Sequence, residues 1–435
     1  MNKHVHEIRD PIHVFVRVDS DERAVLDSRP FQRLRHIHQL ALTYLLYPAA
    51  THKRFEHSLG VMELAGRVFD VVTNPINVRE NIRKTLSEID NPGDLLYWRR
   101  IVRMAALCHD MGHLPFSHAA EKALPEGWNH ERLTRDIIRS PEIEEIFKKM
   151  TPPLRAEDVE KLAVGQKEGK DLTFTNWERV LSEIIVGDAF GVDRMDYLLR
   201  DSYHAGVAYG RFDHVRLIDT LRILPSGEGE SREPALGVEE GGLHSAEALL
   251  LARFYMYSQV YFHPIRRIYD IHLKDFLTAD LPSGKFPTDL VSHLRMTDNE
   301  VNARILAAER DPDHPGHDAA RRIVLHKHYK VLYQRHPGDV RINPDAVKEI
   351  FKAAQEKYGA EKVRLDSYKQ KQALMSFPVL CKDDRVVTAD QLSEVLQHLP
   401  VVAVDYVFID PDLLNDAINW LKSNREQLIQ APREI

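Results

Sequence analysis

The chain has 435 residues, of which 43% are hydrophobic and 29% charged, and these proportions are ordinary for a globular protein with a large core. The formal net charge of -7 argues against a protein that coats nucleic acid, although a local group of arginines could still bind an anionic substrate. No apolar run approaches the roughly 18 residues of a membrane span, no signal-peptide pattern is evident and two cysteines cannot build a disulfide framework, so we expect a cytoplasmic protein without membrane association.

The first three quarters of the chain are predicted to be mostly helical. An extended lead-in covers 8–16, and apolar residues at three- and four-residue steps then predict helices at 57–72, 94–108, 130–138, 177–185 and 193–204. A stretch rich in Gly, Pro and Glu predicts a hairpin or loop at about 224–243. A long apolar helix is expected at 245–262, with more helices to about residue 335.

The tail has a different pattern. Segments of β type at 363–366, 377–380 and 401–407 alternate with helical stretches at 344–358, 389–397 and 410–423. We therefore predict a mostly α protein, with a helical domain over 1–335 and a small α+β region over 340–435.

A candidate metal-binding pair, His109-Asp110, ends an apolar run, and we place it on a buried helix with His113 on the same face. Imidazole beside carboxylate suits Mn, Fe, Co, Ni or Zn, and Mg when water completes the shell. With 23 His in the chain the dipeptide alone means little. A second pair, His317-Asp318, lies in a polar stretch that predicts a loop.

Two further candidate ligands begin other predicted helices. His57 starts the helix at 57–72, and Asp193 starts the helix at 193–204, where capping is the preferred interpretation of an isolated aspartate. Cys108 precedes the pair, but core packing explains it better than ligation. On the last helix, Asp196 and Arg200 are spaced as a structural ion pair on another face.

The pattern His57, His109-Asp110, Asp193 resembles that of HD-domain metal-dependent phosphohydrolases. The resemblance is closest to the deoxynucleoside triphosphate triphosphohydrolase branch, which includes bacterial dNTPases and the human SAM-and-HD-domain dNTPase. It runs from Arg9-Asp10-Pro11-Ile12-His13 to the tail, and we expect no SAM domain before it. It implies an HD-domain helical bundle and four metal ligands, namely His57, His109, Asp110 and Asp193.

The resemblance also implies roles for other residues. A catalytic group around the attacked phosphate comprises His113, His118, Glu121 and His130, in which imidazoles suit proton transfer near neutral pH. Phosphate-binding cations are Arg54, Arg194 and Arg253, the last of which could instead be a snorkelling arginine. The sugar would meet Gln39, Tyr197, Asp201 and Tyr261. Pro264 departs from the family pattern, where Lys is usual, and this weakens the prediction of triphosphate preference.

The predicted activity is metal-dependent hydrolysis of a deoxynucleoside triphosphate to deoxynucleoside and inorganic triphosphate. Expected partners are the nucleotide substrate, a nucleotide activator and further copies of the chain. One alternative is an HD phosphohydrolase for nucleoside monophosphates or cyclic nucleotides. A single-strand nuclease is a second, although no basic-aromatic tract supports binding of single-stranded nucleic acid. A nucleotide sensor without activity is a third.

Overall fold

Helices dominate the computed structural model, which describes residues 5–227, 233–369 and 376–430, and this confirms the predicted mostly α class. The α-helices are α1 Ser20–Leu26, α2 Arg29–Arg33, α3 Arg54–Val72, α4 Glu80–Thr85, α5 Pro92–Cys108, α6 His130–Ile138, α7 Pro141–Lys149, α8 Ala156–Glu168, α9 Asn176–Val186, α10 Val192–Ala205, α11 His214–Asp219, α12 Leu243–Met256, α13 Pro264–Asp280, α14 Leu290–His293, α15 Asp298–Arg310, α16 His317–Val324, α17 Pro337–Ile342, α18 Ala346–Tyr358, α19 Glu394–Gln397 and α20 Leu414–Leu428.

The strands form small sheets at the margins of the helices. They are β1 Val5–Asp10, β2 Val14–Asp19, β3 Leu221–Ser226, β4 Glu233–Glu239, β5 Lys330–Gln334, β6 Val363–Lys369, β7 Pro378–Leu380, β8 Val386–Thr388 and β9 Ala403–Ile409. The predicted lead-in is therefore an antiparallel hairpin of β1 and β2. The hairpin predicted at 224–243 is formed by β3 and β4, and its tip at 228–232 lies outside the described residues.

The strands of the tail divide between two sheets, which the sequence did not indicate. Strand β7 runs parallel to β4 and antiparallel to β8, giving the order β3-β4-β7-β8. The other two predicted strands, β6 and β9, pair antiparallel and are joined by β5, in a region where helix was expected. Helices α18 and α20 cover this three-stranded sheet with Ile350, Ala354, Ala417 and Leu421.

Contacts divide the chain into two compact units, and each is discontinuous in sequence. Unit 1 comprises Met1–Met256, Phe286–Glu300 and Leu374–Leu399, whereas unit 2 comprises Tyr257–Lys285, Val301–Ala373 and Pro400–Ile435. The boundary that the sequence predicts between a helical domain and an α+β region, at residues 335–340, stays a prediction.

The core of unit 1 is built around α3. This helix is buried on almost every side, including at the polar residues Arg54, His57 and Ser58, and packs against α5, α9 and α10. Its neighbour α5 begins at Pro92, where the Asn91 side chain accepts hydrogen bonds from the Gly93 and Asp94 backbone N–H groups. Cys108 is fully buried at the other end of α5. Among the described residues, no helix has the length and apolar character to cross a bilayer.

Candidate metal centre

His57 lies one turn into α3, in the middle of the core. Glu56 accepts a hydrogen bond from the Lys53 backbone N–H at 2.6 Å and closes the first turn of the helix. The His57 side chain is 1% exposed, so its ring meets protein groups and not bulk solvent. The helix therefore starts at Arg54 and not at His57 as predicted, and its second turn places a titratable ring inside the core.

The pair His109-Asp110 lies in the turn that follows α5, and its placement on a helix was wrong. Helix α5 ends at Cys108, and the next residues form tight turns. The first turn of α6 packs directly on this segment, because a Cβ on Gly112 would lie under 3.0 Å from the Thr134 backbone nitrogen. The Thr134 hydroxyl accepts from the Gly112 N–H at 3.0 Å and donates to the His109 carbonyl at 3.1 Å. His113 is therefore brought near Asp110 by the turn and not by helical spacing.

Asp193 is the second residue of α10 and does not cap it. The N-cap is Gly191, which has no side chain to accept a hydrogen bond. The Asp193 carboxylate instead lies 3.1 Å from His57 Nε2 and 3.5 Å from His109 Nε2. The structure thus favours the ligand interpretation over the capping one.

The four predicted ligands converge at one point. Asp110 Oδ1 lies 3.3 Å from His109 Nε2, and Asp110 Oδ2 lies 3.6 Å from His57 Nε2. An ion held at about 2.1 Å by its ligands separates neighbouring ligand atoms by about 3.0 Å in an octahedron and about 3.4 Å in a tetrahedron. The observed spacings of 3.1–3.6 Å match the edges of such a polyhedron.

The hydrogen bonds of both imidazoles leave Nε2 for an ion. His109 Nδ1 donates to the Ala106 carbonyl at 2.7 Å, and His57 Nδ1 donates to Asp196 at 2.8 Å. The buried His109 Nε2 has no hydrogen-bond partner among the described residues and faces carboxylate oxygens. An unprotonated nitrogen facing carboxylates repels them unless a cation lies between, so these residues fit a divalent metal ion.

The electrostatics of the cluster also favour a cation. Burial lowers the pKa of His57, but its hydrogen bonds to Asp193 and Asp196 and the charge of Asp110 raise that pKa to about 10. Burial raises the pKa of Asp110, whereas Arg54, His109 and His113 hold it well below its usual range. Without a metal the cluster therefore retains a proton on His57, which an incoming ion has to displace.

A second group of side chains borders the metal cluster. His113 Nε2 lies 3.2 Å from Asp110 Oδ1, and its ring stacks on His130 at 3.9 Å between centroids. Glu121 lies 2.6 Å from His130 Nδ1 and 3.2 Å from His118 Nδ1. Glu121 therefore contacts both His118 and His130.

The pKa values of the two stacked histidines are shifted in opposite directions. Burial and the positive charges of Arg54 and His130 hold the pKa of His113 well below its usual range. Burial also lowers the pKa of His130, but Glu121 and Glu131 raise it above the ordinary value. The surroundings of the two rings therefore shift their pKa values in opposite directions.

The three predicted phosphate-binding arginines lie in different surroundings. Arg54, the first residue of α3, donates to Asp110 through Nη1 and to the Ser117 hydroxyl at 2.7 Å. Arg194 donates to the Gly187 carbonyl at 2.9 Å and also to Asp188, so it ties α10 to the preceding turn. Arg253 is buried on α12. The contact of Arg54 with a metal ligand places it beside the candidate centre.

The predicted sugar-binding residues are also spread over several elements. Asp201 lies two turns after Asp193 on α10, and its carboxylate accepts from His52 Nε2 at 2.7 Å. Tyr197 lies between these two residues on the helix. Gln39 has a buried amide oxygen without a hydrogen bond among the described residues. Tyr261 ends a π-helical turn and is 8% exposed, in unit 2. Their substrate roles stay predictions.

The sequence did not indicate the contacts that two aspartates, Asp196 and Asp298, make around the site. Asp196 does pair with Arg200 as predicted, but it also contacts His57, so its placement on another face was incomplete. Asp298, the first residue of α15, accepts from the Phe116 N–H at 2.7 Å and from His38 Nδ1 at 2.6 Å. Phe116 has φ 57°, a strained conformation next to the site that no local motif announces.

The second His-Asp pair has no such surroundings. His317 and Asp318 begin α16, and do not lie in a loop as predicted. His317 Nδ1 lies 2.9 Å from the Ala308 carbonyl. Among the described residues, this pair belongs to none of the groups that could hold a metal ion.

Comparisons with known proteins agree with this geometry. Residues 54–201 match the HD domain, and residues 212–408 match the HD associated region. The uncharacterized protein MJ1154 of Methanocaldococcus jannaschii is 34% identical over 307 residues, which are 68% of this chain and 57% of that protein. The chicken (Gallus gallus) deoxynucleoside triphosphate triphosphohydrolase SAMHD1 is 29% identical over 371 residues, 77% of this chain and 57% of that protein. The chain thus spans a little over half the length of these curated relatives.

A solved structure covers nearly the whole chain. The crystal structure of a hypothetical protein from Aquifex aeolicus superposes with a TM-score of 0.78 at 34% identity, covering 96% of this chain and 100% of that one. The HD match begins at Arg54 and ends at Asp201, and so encloses the four converging side chains. The chain belongs to the HD-domain family and carries an HD domain followed by an HD-associated region.

Proposed function

We propose that this protein is a metal-dependent phosphohydrolase that converts a deoxynucleoside triphosphate and water to the deoxynucleoside and inorganic triphosphate. The observation that carries the proposal is the convergence of His57, His109, Asp110 and Asp193, with both imidazoles presenting Nε2 to carboxylates. The name of the SAMHD1 relative supports the substrate class. Nucleotide activation, self-assembly and a cytoplasmic location are further proposals from the same resemblance.

The four ligands would hold one divalent ion, whose identity among Mn, Mg, Fe, Co, Ni and Zn is left to experiment. When bound, the ion supplies Lewis-acid polarisation of a phosphoryl oxygen. Arg54 adds a permanent positive charge beside Asp110, where negative charge would develop on the attacked phosphate. Its burial removes competing water from that charge and strengthens its effect.

The second cluster provides the proton chemistry. Hydrolysis at the α-phosphate releases the 5′ oxygen of the nucleoside, which has to gain a proton as its bond to phosphorus breaks. Glu121 receives the Nδ1–H groups of His118 and His130, so Nε2 is the nitrogen left on each ring for the substrate. His130, with its raised pKa, is the proton donor in this proposal. His118 is 60% exposed and free to approach phosphate oxygens.

The experiment is a panel of dNTPs and NTPs with each divalent metal, with products resolved by chromatography. We expect deoxynucleoside and triphosphate from dNTPs, and loss of turnover in His109→Ala. The chain supplies a matched control in His317→Ala, because His317 also precedes an aspartate and contacts a backbone carbonyl through Nδ1. Turnover of a nucleoside monophosphate, a cyclic nucleotide or a labelled oligonucleotide instead of dNTPs would support one of the alternative activities.

A further inference from the structure

A buried polar network contacts the edge of the His57 ring that faces away from the other candidate ligands. His57 Nδ1 belongs to this network, whereas Nε2 meets Asp193. Asp196 and Arg200 of α10 are fully buried, and Asp10 and His13 of the first hairpin are each 5% exposed. Charges are this deeply buried only where other groups compensate them, so the contacts of Asp196 are informative.

Asp196 accepts four hydrogen bonds, two on each oxygen. Oδ1 accepts from His13 Nε2 at 2.6 Å and from Arg200 Nη2 at 2.9 Å. Oδ2 accepts from His57 Nδ1 and from Arg200 Nε, both at 2.8 Å. An ionised carboxylate only accepts, so His57 has to carry its hydrogen on Nδ1. The neutral ring then has its lone pair on Nε2, at the metal cluster.

The first hairpin fixes this arrangement from the other side. Asp10 Oδ2 accepts from Arg200 Nη1 at 2.8 Å. Asp10 Oδ1 accepts from the backbone N–H groups of Ile12 and His13, both at 2.8 Å, which shapes the turn that presents the His13 ring. The turn at residues 10–13 is thus joined to His57 through Asp196 and Arg200.

The helix that carries His57 is shaped to receive the network. Gly60 follows His57 by about one helical turn, and a Cβ there would lie under 3.0 Å from Asp196 Oδ1 and from Arg200 Nη2. Glycine in a helix interior is destabilising relative to alanine. The missing side chain is what lets the carboxylate reach the His57 ring.

We infer that Asp196 is a positioning residue for the metal centre: held by Arg200 and the hairpin turn 10–13, it keeps His57 in the tautomer and orientation that bind the ion. The inference rests on the proposed metal centre. Groups that hydrogen-bond the outer nitrogen of a ligating histidine typically change metal affinity by about ten- to a hundredfold when they are removed. Asp196 therefore sets metal affinity without touching the ion or the substrate.

The test is titration of chelator-treated protein with Mn²⁺ by calorimetry, with no nucleotide present. We expect Asp196→Asn to weaken binding by about ten- to a hundredfold. The matched control is Glu22→Gln, because Glu22 is also 5% exposed and accepts two hydrogen bonds from one buried arginine, Arg103. This control should bind Mn²⁺ like the parent protein. Binding within threefold of the parent by Asp196→Asn would overturn the inference.

A second pair of variants leaves the network's own side chains in place. Gly60→Ala should displace the Asp196 carboxylate and weaken Mn²⁺ binding, whereas Gly66→Ala, also on α3, would meet the Arg103 side chain at 2.9 Å, away from the Asp196 network. Equal affinities in the two alanine variants would contradict the inference, even if Asp196→Asn does not fold.

A spectroscopic readout separates positioning from a merely structural role. In Zn²⁺-loaded protein, ¹⁵N-histidine NMR should show the His57 Nδ1–H signal, assigned by its loss in His57→Gln, and Asp196→Asn should weaken it by exchange. An unchanged signal would contradict the positioning role. Normal Mn²⁺ binding in a protein that hydrolyses no nucleotide would contradict the proposed function and leave this inference standing.

Discussion

The two aspartates of the candidate centre, Asp110 and Asp193, should differ in their effect on stability, although each is a proposed metal ligand. Asp110 is 6% exposed and is paired with Arg54, whose other side-chain contact is the Ser117 hydroxyl. Asp110→Ala would leave the buried Arg54 guanidinium without this carboxylate, and the loss of such a partner typically lowers the free energy of unfolding by about 3–5 kcal/mol. The Asp193 side chain is 30% exposed, and within the candidate centre it contacts the histidines His57 and His109. Asp193→Ala should therefore lower the free energy of unfolding of the metal-free protein by about 1 kcal/mol.

The assay is urea unfolding of both variants and the parent in excess chelator. The free energy of unfolding should fall by about 2–4 kcal/mol more for Asp110→Ala than for Asp193→Ala. Both variants should lose the increase in stability that Mn²⁺ gives the parent protein. Equal losses in the metal-free state would refute the reasoning, because they would mean that Arg54 does not depend on Asp110.

Three further predictions concern protons and the sugar. Since the pKa of His57 is raised to about 10, Mn²⁺ binding near pH 7 should release about one proton and become tighter as pH rises. Calorimetry in buffers of different ionisation enthalpy measures the number of protons released. An Mn²⁺ affinity that does not depend on pH would contradict the prediction. If His130 is the proton donor, activity should fall as pH rises through the raised pKa of His130, and Glu121→Gln should move this alkaline side of the pH–activity profile to lower pH. A profile that does not move would exclude His130, paired with Glu121, as the proton donor. Tyr261→Ala should lower the ratio of kcat/KM for dNTPs over NTPs, and an unchanged ratio would remove Tyr261 from the sugar pocket.

Helix positions could be predicted where a local start signal agreed with the apolar spacing. Helix α6 begins and ends as predicted, because Asn129 caps it and the apolar residues repeat through Ile138. Helix α5 ends at Cys108, as the predicted span 94–108 has it, but the placement of His109-Asp110 on a helix was wrong, because the turn after Cys108 is stabilised by Thr134 of another helix. The pairing of β7 with β4 joins segments about 140 residues apart along the chain, and local patterns do not specify such long-range pairing.

The candidate ligands could be proposed from sequence because the pattern His57, His109-Asp110, Asp193 resembles that of a known family. The side chains that hydrogen-bond these candidate ligands could not be predicted, because they lie in distant segments of the chain. The i,i+4 spacing of Asp196 and Arg200 indicated the ion pair, but nothing local indicates that Asp196 also reaches His57 on α3. A glycine inside a predicted helix, Gly60, indicated that another group packs closely against that helix. The sequence does not tell which group this is, and the structure identifies it as Asp196 with Arg200.

The most direct test of the account is hydrolysis of dGTP or dATP by the metal-loaded protein in ¹⁸O-labelled water, with products resolved by liquid chromatography and mass spectrometry. The account predicts unlabelled deoxynucleoside and inorganic triphosphate that carries one ¹⁸O atom, because water attacks the α-phosphorus next to His109-Asp110. Labelled deoxynucleoside, a monophosphate product, or no turnover by protein that has bound its metal would contradict it.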